Sequence, residues 1–252
     1  MNIYESEKLL GEYLLFHYGG AVEIAPPQGA ERALDYAVRC VRECVGPVPG
    51  TARGLDLGCA VGRSTFELAR RCEEVIGIDY SRRFIEAAAV LQREGVHDYQ
   101  RLDEGRLTTP LRAVVPPEID RSRVSFEVGD AMALRGDLGA FDVVLMANLI
   151  DRLRDPRRCL AALPALVKPG GQLIVTSPYT WLEEFTPHER WLGGYQRDGM
   201  RVATLAGLRE ALERSFTLTE VRDLPFLIRE HARKFQWSLA QASLWRRNDD
   251  AD

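Results

Sequence analysis

Two short segments constrain this chain more than any others. Leu55–Ser64, LDLGCAVGRS, is an apolar stretch that runs into an acid and a pair of spaced glycines, and Val75–Ser81, VIGIDYS, is a second apolar stretch that closes on Asp79. A strand ending in an acid and a glycine turn, a helix from Arg63 to Arg71 and then another strand form the opening of a parallel α/β unit. Gly58 and Gly62 can adopt positive φ and carry no Cβ, so backbone amides at the helix start can approach a ligand closely.

Asp79 stands 17 residues after Gly62, near the offset at which an acid ending the second strand grips ribose hydroxyls in dinucleotide folds. That spacing fits two cofactors, a nicotinamide dinucleotide or S-adenosylmethionine. Asp56 separates them. A carboxylate two residues before Gly58 would repel a pyrophosphate, whereas it could accept hydrogen bonds from the cationic aminoacyl end of S-adenosylmethionine. The pattern resembles motif I of class I S-adenosylmethionine-dependent methyltransferases, with Ala60 in place of the middle glycine.

Around this unit strands and helices alternate, which predicts a parallel sheet with helices on both faces. Strands are expected at Gly54 to Leu57, Val75 to Asp79, Val124 to Glu127, Phe141 to Ala147 and Gln172 to Ser177, and late strands at Thr217 to Asp223 and Phe235 to Arg246 form an antiparallel pair at the sheet edge. Helices are expected at Ser6 to Tyr18, Ala30 to Val45 and Leu205 to Phe216, with a further helix opening at Asp155-Pro156, interrupted by Pro164 and stopped by Lys168-Pro169-Gly170-Gly171. The resemblance implies an α/β, Rossmann-like fold with a seven-stranded, mostly parallel sheet, one antiparallel edge strand and an N-terminal helical cover. We read residues 1–252 as one domain, with 1–50 as the cover and 51–252 as the core. Asp79 and Val124 are too far apart for a simple crossover, so Gly95 to Arg123 reads as an insertion and a candidate lid or wall of the substrate pocket. Its five Arg balance five Asp or Glu.

Ligands in open α/β sheets collect beyond the carboxyl ends of the strands. The cofactor residues expected there are Asp56, Gly58, Cys59, Gly62, Asp79, Tyr80, Asp130, Ala131 and Asn148. Asp130 in VGDAM matches the methyltransferase position that accepts from the adenine amino group; a helix-capping role is its plain alternative. Asn148 follows the fourth strand, where class I enzymes approach the reactive methyl. The segment SPYTWLEEFTPHERWLGG concentrates aromatics and acids after the fifth strand, so Tyr179 and Trp181 could stack on a flat ring and Glu183 could pair with an ammonium group. Tyr4, His17 and Tyr18 of the N-terminal cover complete the candidate catalytic set.

Charge and cysteine usage narrow the classes. The 252-residue chain has 46% apolar residues, net charge −4 and pI about 5.7, a balance that gives no field for nucleic acid or anionic membrane. Arg229, Arg233, Lys234, Arg246 and Arg247 are the one basic cluster and read as a solvated edge face. Five cysteines in no paired pattern, and an N-terminus without a basic apolar leader, predict a reducing, cytoplasmic compartment. Cys40 and Cys44 read as buried small residues. His17, His97, His188 and His231 show no metal spacing, so no metal is expected. No apolar run approaches the roughly 18 residues of a membrane span.

YESEKLLGEYLLFHYG, LDLGCAVGRSTFELAR, EVIGIDYS, FDVVLMANLIDRL and LVKPGGQLIVTSPYTWLEEFTP together resemble a narrower family, the methyltransferase domain of ovothiol biosynthesis, across most of residues 4 to 195. In that family the domain is often fused to an iron-dependent 5-histidylcysteine sulfoxide synthase, which this chain lacks, so a separate synthase would be its pathway partner. The resemblance implies methyl transfer from S-adenosylmethionine to an imidazole nitrogen of 5-thiohistidine, giving ovothiol A and S-adenosylhomocysteine. Such a site must turn the softer exocyclic sulfur away from the methyl group. The expected arrangement is a sandwich of the ring by Tyr179 and Trp181, with Asn148 or Tyr4 on its polar edge. A methyltransferase for a quinone, phenol or amine, a non-catalytic cofactor-binding subunit and a nucleic-acid methyltransferase are the competing readings.

Overall fold

The computed structural model describes residues 6–24 and 31–249. In chain order its strands are β1 (Arg53–Leu57), β2 (Glu74–Asp79), β3 (Val96–Glu104), β4 (Leu107–Val114), β5 (Val124–Val128), β6 (Phe141–Ala147), β7 (Val167–Ser177), β8 (Tyr195–Arg197), β9 (Met200–Val202), β10 (Phe216–His231) and β11 (Lys234–Arg247). The helices are α1 (Glu7–Tyr18), α2 (Ala21–Ile24), α3 (Tyr36–Arg42), α4 (Arg63–Leu68), α5 (Arg82–Glu94), α6 (Pro156–Leu166) and α7 (Thr204–Leu212).

Seven strands form one sheet in the order β10-β11-β7-β6-β1-β2-β5. The five central and β5-side strands are parallel, and β11 runs antiparallel to both β7 and β10. The fold is therefore the expected Rossmann-like sheet with an antiparallel edge pair; the reversed strand lies one position in from the edge. The strand sequences are almost wholly apolar because both faces are covered, yet alternate residues still part company. Val143, Leu145 and Ile174 join the core under α1, α3, α4 and α5, while Val144, Met146 and Val175 join the core under α6 and α7.

Local signals set several boundaries. The Ser6 hydroxyl accepts from the Leu9 amide at the start of α1, and Asp155 caps α6 through the Arg158 amide with Pro156 at the first helical position. Pro164 lies inside α6, which ends two residues later. The expected helix over Ala30 to Val45 is broken instead. A short 3-10 turn at Glu31–Ala33 gives way to Asp35 in the left-handed region, φ 53°, and α3 begins with Tyr36 buried. α4 and α7 are shorter than their apolar patterns suggested, and the late hairpin is longer.

The insertion is ordered. Residues 96–114 fold as the β3–β4 hairpin, and α1 lies so close on it that a Cβ on Gly11 would stand 2.7 Å from the Gln100 carbonyl oxygen. Asp103 ties the hairpin to the end of β10, accepting from Arg229 Nη2 at 3.3 Å and, through its carbonyl, from the Ala232 amide at 3.0 Å. Arg229 is thus a buried tether, not part of a solvated basic face, because its guanidinium also donates to the Glu23 carbonyl at 2.8 Å.

Candidate active site

The glycine loop after β1 is held largely by its own neighbours. The Gly58 and Cys59 amides donate to the Ile78 carbonyl, the Gly62 amide donates to the Cys59 carbonyl, and the Ala60 amide donates to Asp79 Oδ2 at 2.9 Å. Gly58, Ala60 and Gly62 all have positive φ, at 74°, 48° and 83°. Ala60 therefore keeps the left-handed conformation that glycine would take without strain. The missing side chains make room for protein, not only for ligand. A Cβ on Gly58 would meet Leu149 at 2.9 Å, and one on Gly62 would meet the Phe126 ring at 2.5 Å.

Asp56 lies beneath this loop, wholly buried. Its Oδ2 accepts from the Ser64 and Thr65 hydroxyls at 2.7 Å each, and its Oδ1 has no partner. Burial pushes its carboxyl up to about 6, against the opposing effect of the two hydroxyl donors. Cys59 is buried beside it, and burial raises its thiol well above the usual range. Asp79 Oδ1 accepts from the Ser81 amide at 2.8 Å, while the neighbouring Tyr80 ring is 71% exposed and open to a stacking partner. Asp130 caps its own turn through the Met132 amide at 2.8 Å, with Ala131 buried next to it.

A polar cluster meets the loop from the other side. Asn148, at φ 53°, follows β6; its backbone amide donates to the Thr176 carbonyl at 2.9 Å. The Tyr36 hydroxyl donates to Asn148 Oδ1 at 2.8 Å and lies 2.7 Å from the buried Thr176 hydroxyl. Around it Phe16 stacks on Tyr36 with centroids 5.9 Å apart, Phe226 tilts against Tyr36 at 4.8 Å, and His17 packs edge-on to Phe16 at 5.4 Å. The Tyr18 hydroxyl donates to the Val61 carbonyl at 2.7 Å, which fastens α1 to the cofactor loop. His17 Nδ1 is buried without a partner; burial and the nearby Arg63 charge push the imidazole down to about 3.

The structure brings Asn148, His17 and Tyr18 together with the glycine loop, and adds Tyr36, Thr176 and Phe16, which the sequence reading missed. It does not assemble the expected Tyr179–Trp181 sandwich. Trp181 is 8% exposed, donates its indole N–H to Thr204 Oγ1 at 2.9 Å, and stacks on Trp191 in the core under α6 and α7. Tyr179 is half-buried against that same core and donates to Gln241 Oε1 at 3.1 Å. Its φ of 55° is enforced by Asp151, a buried acid also missed, which accepts from the Ser177 hydroxyl and the Thr180 amide on either side. Glu183 is exposed on the following loop, and Tyr4 lies outside the described residues.

Other features stand apart from this site. A cleft of about 1190 Å³ is bordered by α1, the β3–β4 hairpin and the end of β10, with Leu10, Leu14 and Leu15 of α1 in its lining, away from Asp56, Asp79 and Asn148. All five cysteines are buried and unpaired with one another. Among the described residues no group of His, Cys, Asp or Glu is placed to hold a metal ion, and no helix is long and apolar enough to cross a membrane.

Comparison with known proteins agrees with this geometry. Residues 55–173 match a family described as methyltransferase domain. Norajmaline N-methyltransferase of Rauvolfia serpentina is 26% identical over 175 residues, which cover 68% of this chain and 52% of the relative. A ubiquinone biosynthesis O-methyltransferase of Alkalilimnicola ehrlichii is 31% identical over 144 residues, covering 57% and 47%. The chain spans about half the length of these curated relatives. Among solved structures, N-methyltransferase NodS from Bradyrhizobium japonicum bound to S-adenosyl-L-homocysteine aligns with TM-score 0.53 and 20% identity over 88% of this chain and 89% of that one. The [4+2]-cyclase SpnF aligns with TM-score 0.57 and 18% identity over 97% of both chains, a likeness of fold.

Proposed function

We propose, from the premise that residues 55–173 form a class I S-adenosylmethionine-dependent methyltransferase domain, that this protein methylates a ring nitrogen of a small molecule, and specifically an imidazole nitrogen of 5-thiohistidine. When bound, S-adenosylmethionine supplies a sulfonium-activated methyl group, leaving S-adenosylhomocysteine as the substrate nitrogen takes the methyl up.

The cofactor fits the residues present. The unpartnered, buried Asp56 Oδ1 is an acceptor awaiting a donor, which the cationic aminoacyl end would supply. Asp79 would receive the ribose hydroxyls, the exposed Tyr80 ring would lie along the adenine, and the Asp130–Ala131 turn would meet its edge.

The observation that carries nitrogen as the acceptor is His17. Its imidazole packs among Tyr13, Phe16 and Tyr18 with Nδ1 buried and unpartnered, and that burial pushes it down to about 3, so it is a poor base for taking a proton from a phenol at neutral pH. An imidazole nitrogen needs no such base, because it attacks with its own lone pair and its ring proton departs to solvent. The chain's task is orientation: Phe16, packed on the buried Tyr36 ring, belongs to the cover beside the loop, and Asn148 offers a polar contact at the strand end. The identity of the ring as thiohistidine is supported by the resemblance of the YES…HYG and SPYTWLEE segments to the ovothiol family.

The experiment is turnover with S-adenosylmethionine against 5-thiohistidine, histidine, a phenol and a simple amine. Selective consumption of thiohistidine with an N-methyl product supports the proposal. Faster turnover of the phenol replaces it with the O-methyltransferase reading, for which the ubiquinone relative is the specific precedent.

A further inference from the structure

The buried cluster of Tyr36, Thr176 and Asn148 fixes which end of the Asn148 amide faces the site. Tyr36 and Thr176 are almost wholly inaccessible, so both hydroxyl protons need acceptors inside the protein. Three oxygens lie within hydrogen-bonding distance of one another: Tyr36 to Asn148 Oδ1 at 2.8 Å, Tyr36 to Thr176 at 2.7 Å, and Thr176 to Asn148 Oδ1 at 3.3 Å. With the amide oxygen turned inward, one proton goes to that oxygen and the other lies between the two hydroxyls. With the amide reversed, the two hydroxyls have only each other, and one buried proton is left without an oxygen. The nearby Cys40 thiol is a weak acceptor that does not replace it.

The backbone agrees with this reading. The Asn148 amide nitrogen already donates to the Thr176 carbonyl and, at 3.3 Å, to the Thr176 hydroxyl. That fixes the residue in its left-handed conformation, φ 53°, which asparagine tolerates better than most residues. Among the described residues Asn148 Nδ2 has no hydrogen-bond partner, and it is not a buried atom. Leu149, its neighbour in sequence, packs beside Gly58, so Asn148 stands next to the glycine loop with this NH₂ group unpartnered.

We propose that Tyr36, supported by Thr176, is a positioning residue that locks the Asn148 amide with its NH₂ group toward the site, so that the substrate atom meeting Asn148 is a hydrogen-bond acceptor. Resting on the thiohistidine reading, that acceptor is the exocyclic sulfur. An N–H of this group donates to the sulfur, engages one of its lone pairs and turns the ring nitrogen toward the methyl group. The selectivity problem posed by a soft sulfur is thereby solved with a hydrogen bond from an amide whose orientation is set 112 residues away in sequence.

The test compares wild type, Tyr36→Phe, Asn148→Asp, Thr176→Val and Thr176→Ser for catalytic efficiency, for the ratio of N- to S-methyl product, and for S-adenosylhomocysteine affinity by calorimetry. Removing one orienting hydrogen bond in Tyr36→Phe is expected to lower kcat about tenfold, to let S-methyl product appear, and to leave cofactor affinity within about twofold. Asn148→Asp keeps an oxygen for Tyr36 but loses the donor, so it is expected to lose N-selectivity further. Thr176→Ser, which keeps the hydroxyl, is expected to behave as wild type where Thr176→Val does not. Unchanged kcat and product ratio in Tyr36→Phe would overturn the proposal. The amide orientation is also read without any substrate, from nuclear Overhauser contacts between the Asn148 NH₂ and Tyr36 ring protons in protein carrying ¹⁵N-asparagine. Weak contacts in wild type that strengthen, to the same ring, in Tyr36→Phe/Thr176→Val, where no hydroxyl proton needs the amide oxygen, support the inward oxygen, and strong contacts in wild type contradict it. If wild type ignores thiohistidine, the substrate reading fails while this second measurement still decides the positioning claim.

Discussion

Asp79 accepts a hydrogen bond from the Ala60 amide at 2.9 Å, and Ala60 is held at φ 48° in making it. One carboxylate, the one proposed to receive the ribose, thus shapes the glycine loop from within the protein. The residue that departs from the glycine pattern is the one whose strained conformation that carboxylate maintains. Replacing Ala60 by glycine is expected to leave S-adenosylhomocysteine affinity within about threefold and thermal stability equal or higher, because left-handed strain of about 1 kcal/mol disappears. Replacing it by valine, whose branched side chain resists this region, is expected to lower both. Calorimetry and thermal melts on the two variants check the pair.

Gly62 packs against Phe126, not against open space. A Cβ there would stand 2.5 Å from the ring at a φ of 83°, so Gly62→Ala is expected to destabilise the protein by about 2 to 4 kcal/mol. Trimming the ring in Gly62→Ala/Phe126→Leu is expected to recover part of that loss, and urea denaturation of the single and double variants measures the coupling.

Asp56 gives stability a definite pH dependence. Its carboxyl rises from 3.8 to about 6 on folding. Below about pH 4 both states hold the proton. Between pH 4 and 6 the folded state alone holds it, so stability falls as pH rises, by about 3 kcal/mol in all, and is flat above. Burial raises Asp151 in the same direction, so the contribution is isolated by subtracting the curve of Asp56→Asn, which keeps an oxygen for Ser64 and Thr65. A cationic aminoacyl group favours the ionised form, so cofactor affinity in wild type is expected to climb through pH 6 and to lose that step in the variant.

Trp181 belongs to packing. Trp181→Phe loses the hydrogen bond to Thr204 and part of the contact with Trp191, for an expected cost of about 1 to 2 kcal/mol in urea melts. The folded variant is expected to keep catalytic efficiency within about threefold and the same product. A change in N-to-S ratio would return Trp181 to the substrate site.

The cofactor half was legible in the chain because it depends on local patterns. The acid, the two glycines and the strand-ending Asp79 lie within 24 residues, the acids in adjacent parallel strands and the glycines in the turn that follows the first. The substrate half was not. Tyr36 reaches Asn148 across 112 residues, and only a break at Asp35, unsignalled by a helical apolar pattern, aims it there. The aromatics after β7 misled for a related reason. A cluster of Tyr and Trp satisfies ring-stacking and core-packing equally well in sequence, and strand alternation, which places Val175 toward α6 and α7, decides between them. The β3–β4 hairpin was hidden because its turn, Gly105-Arg106, sits in a charge-balanced stretch with little apolar alternation.

The central claim is methyl transfer to a ring nitrogen of thiohistidine, and one measurement meets it directly: incubation of the full chain with S-adenosylmethionine carrying a ¹³C-methyl group and 5-thiohistidine, followed by locating the new methyl by heteronuclear NMR. The account predicts long-range correlations from the methyl protons to the imidazole ring carbons that flank a nitrogen. A methyl correlated only to the sulfur-bearing carbon, or no methyl incorporated while a phenol or amine is turned over, would contradict it.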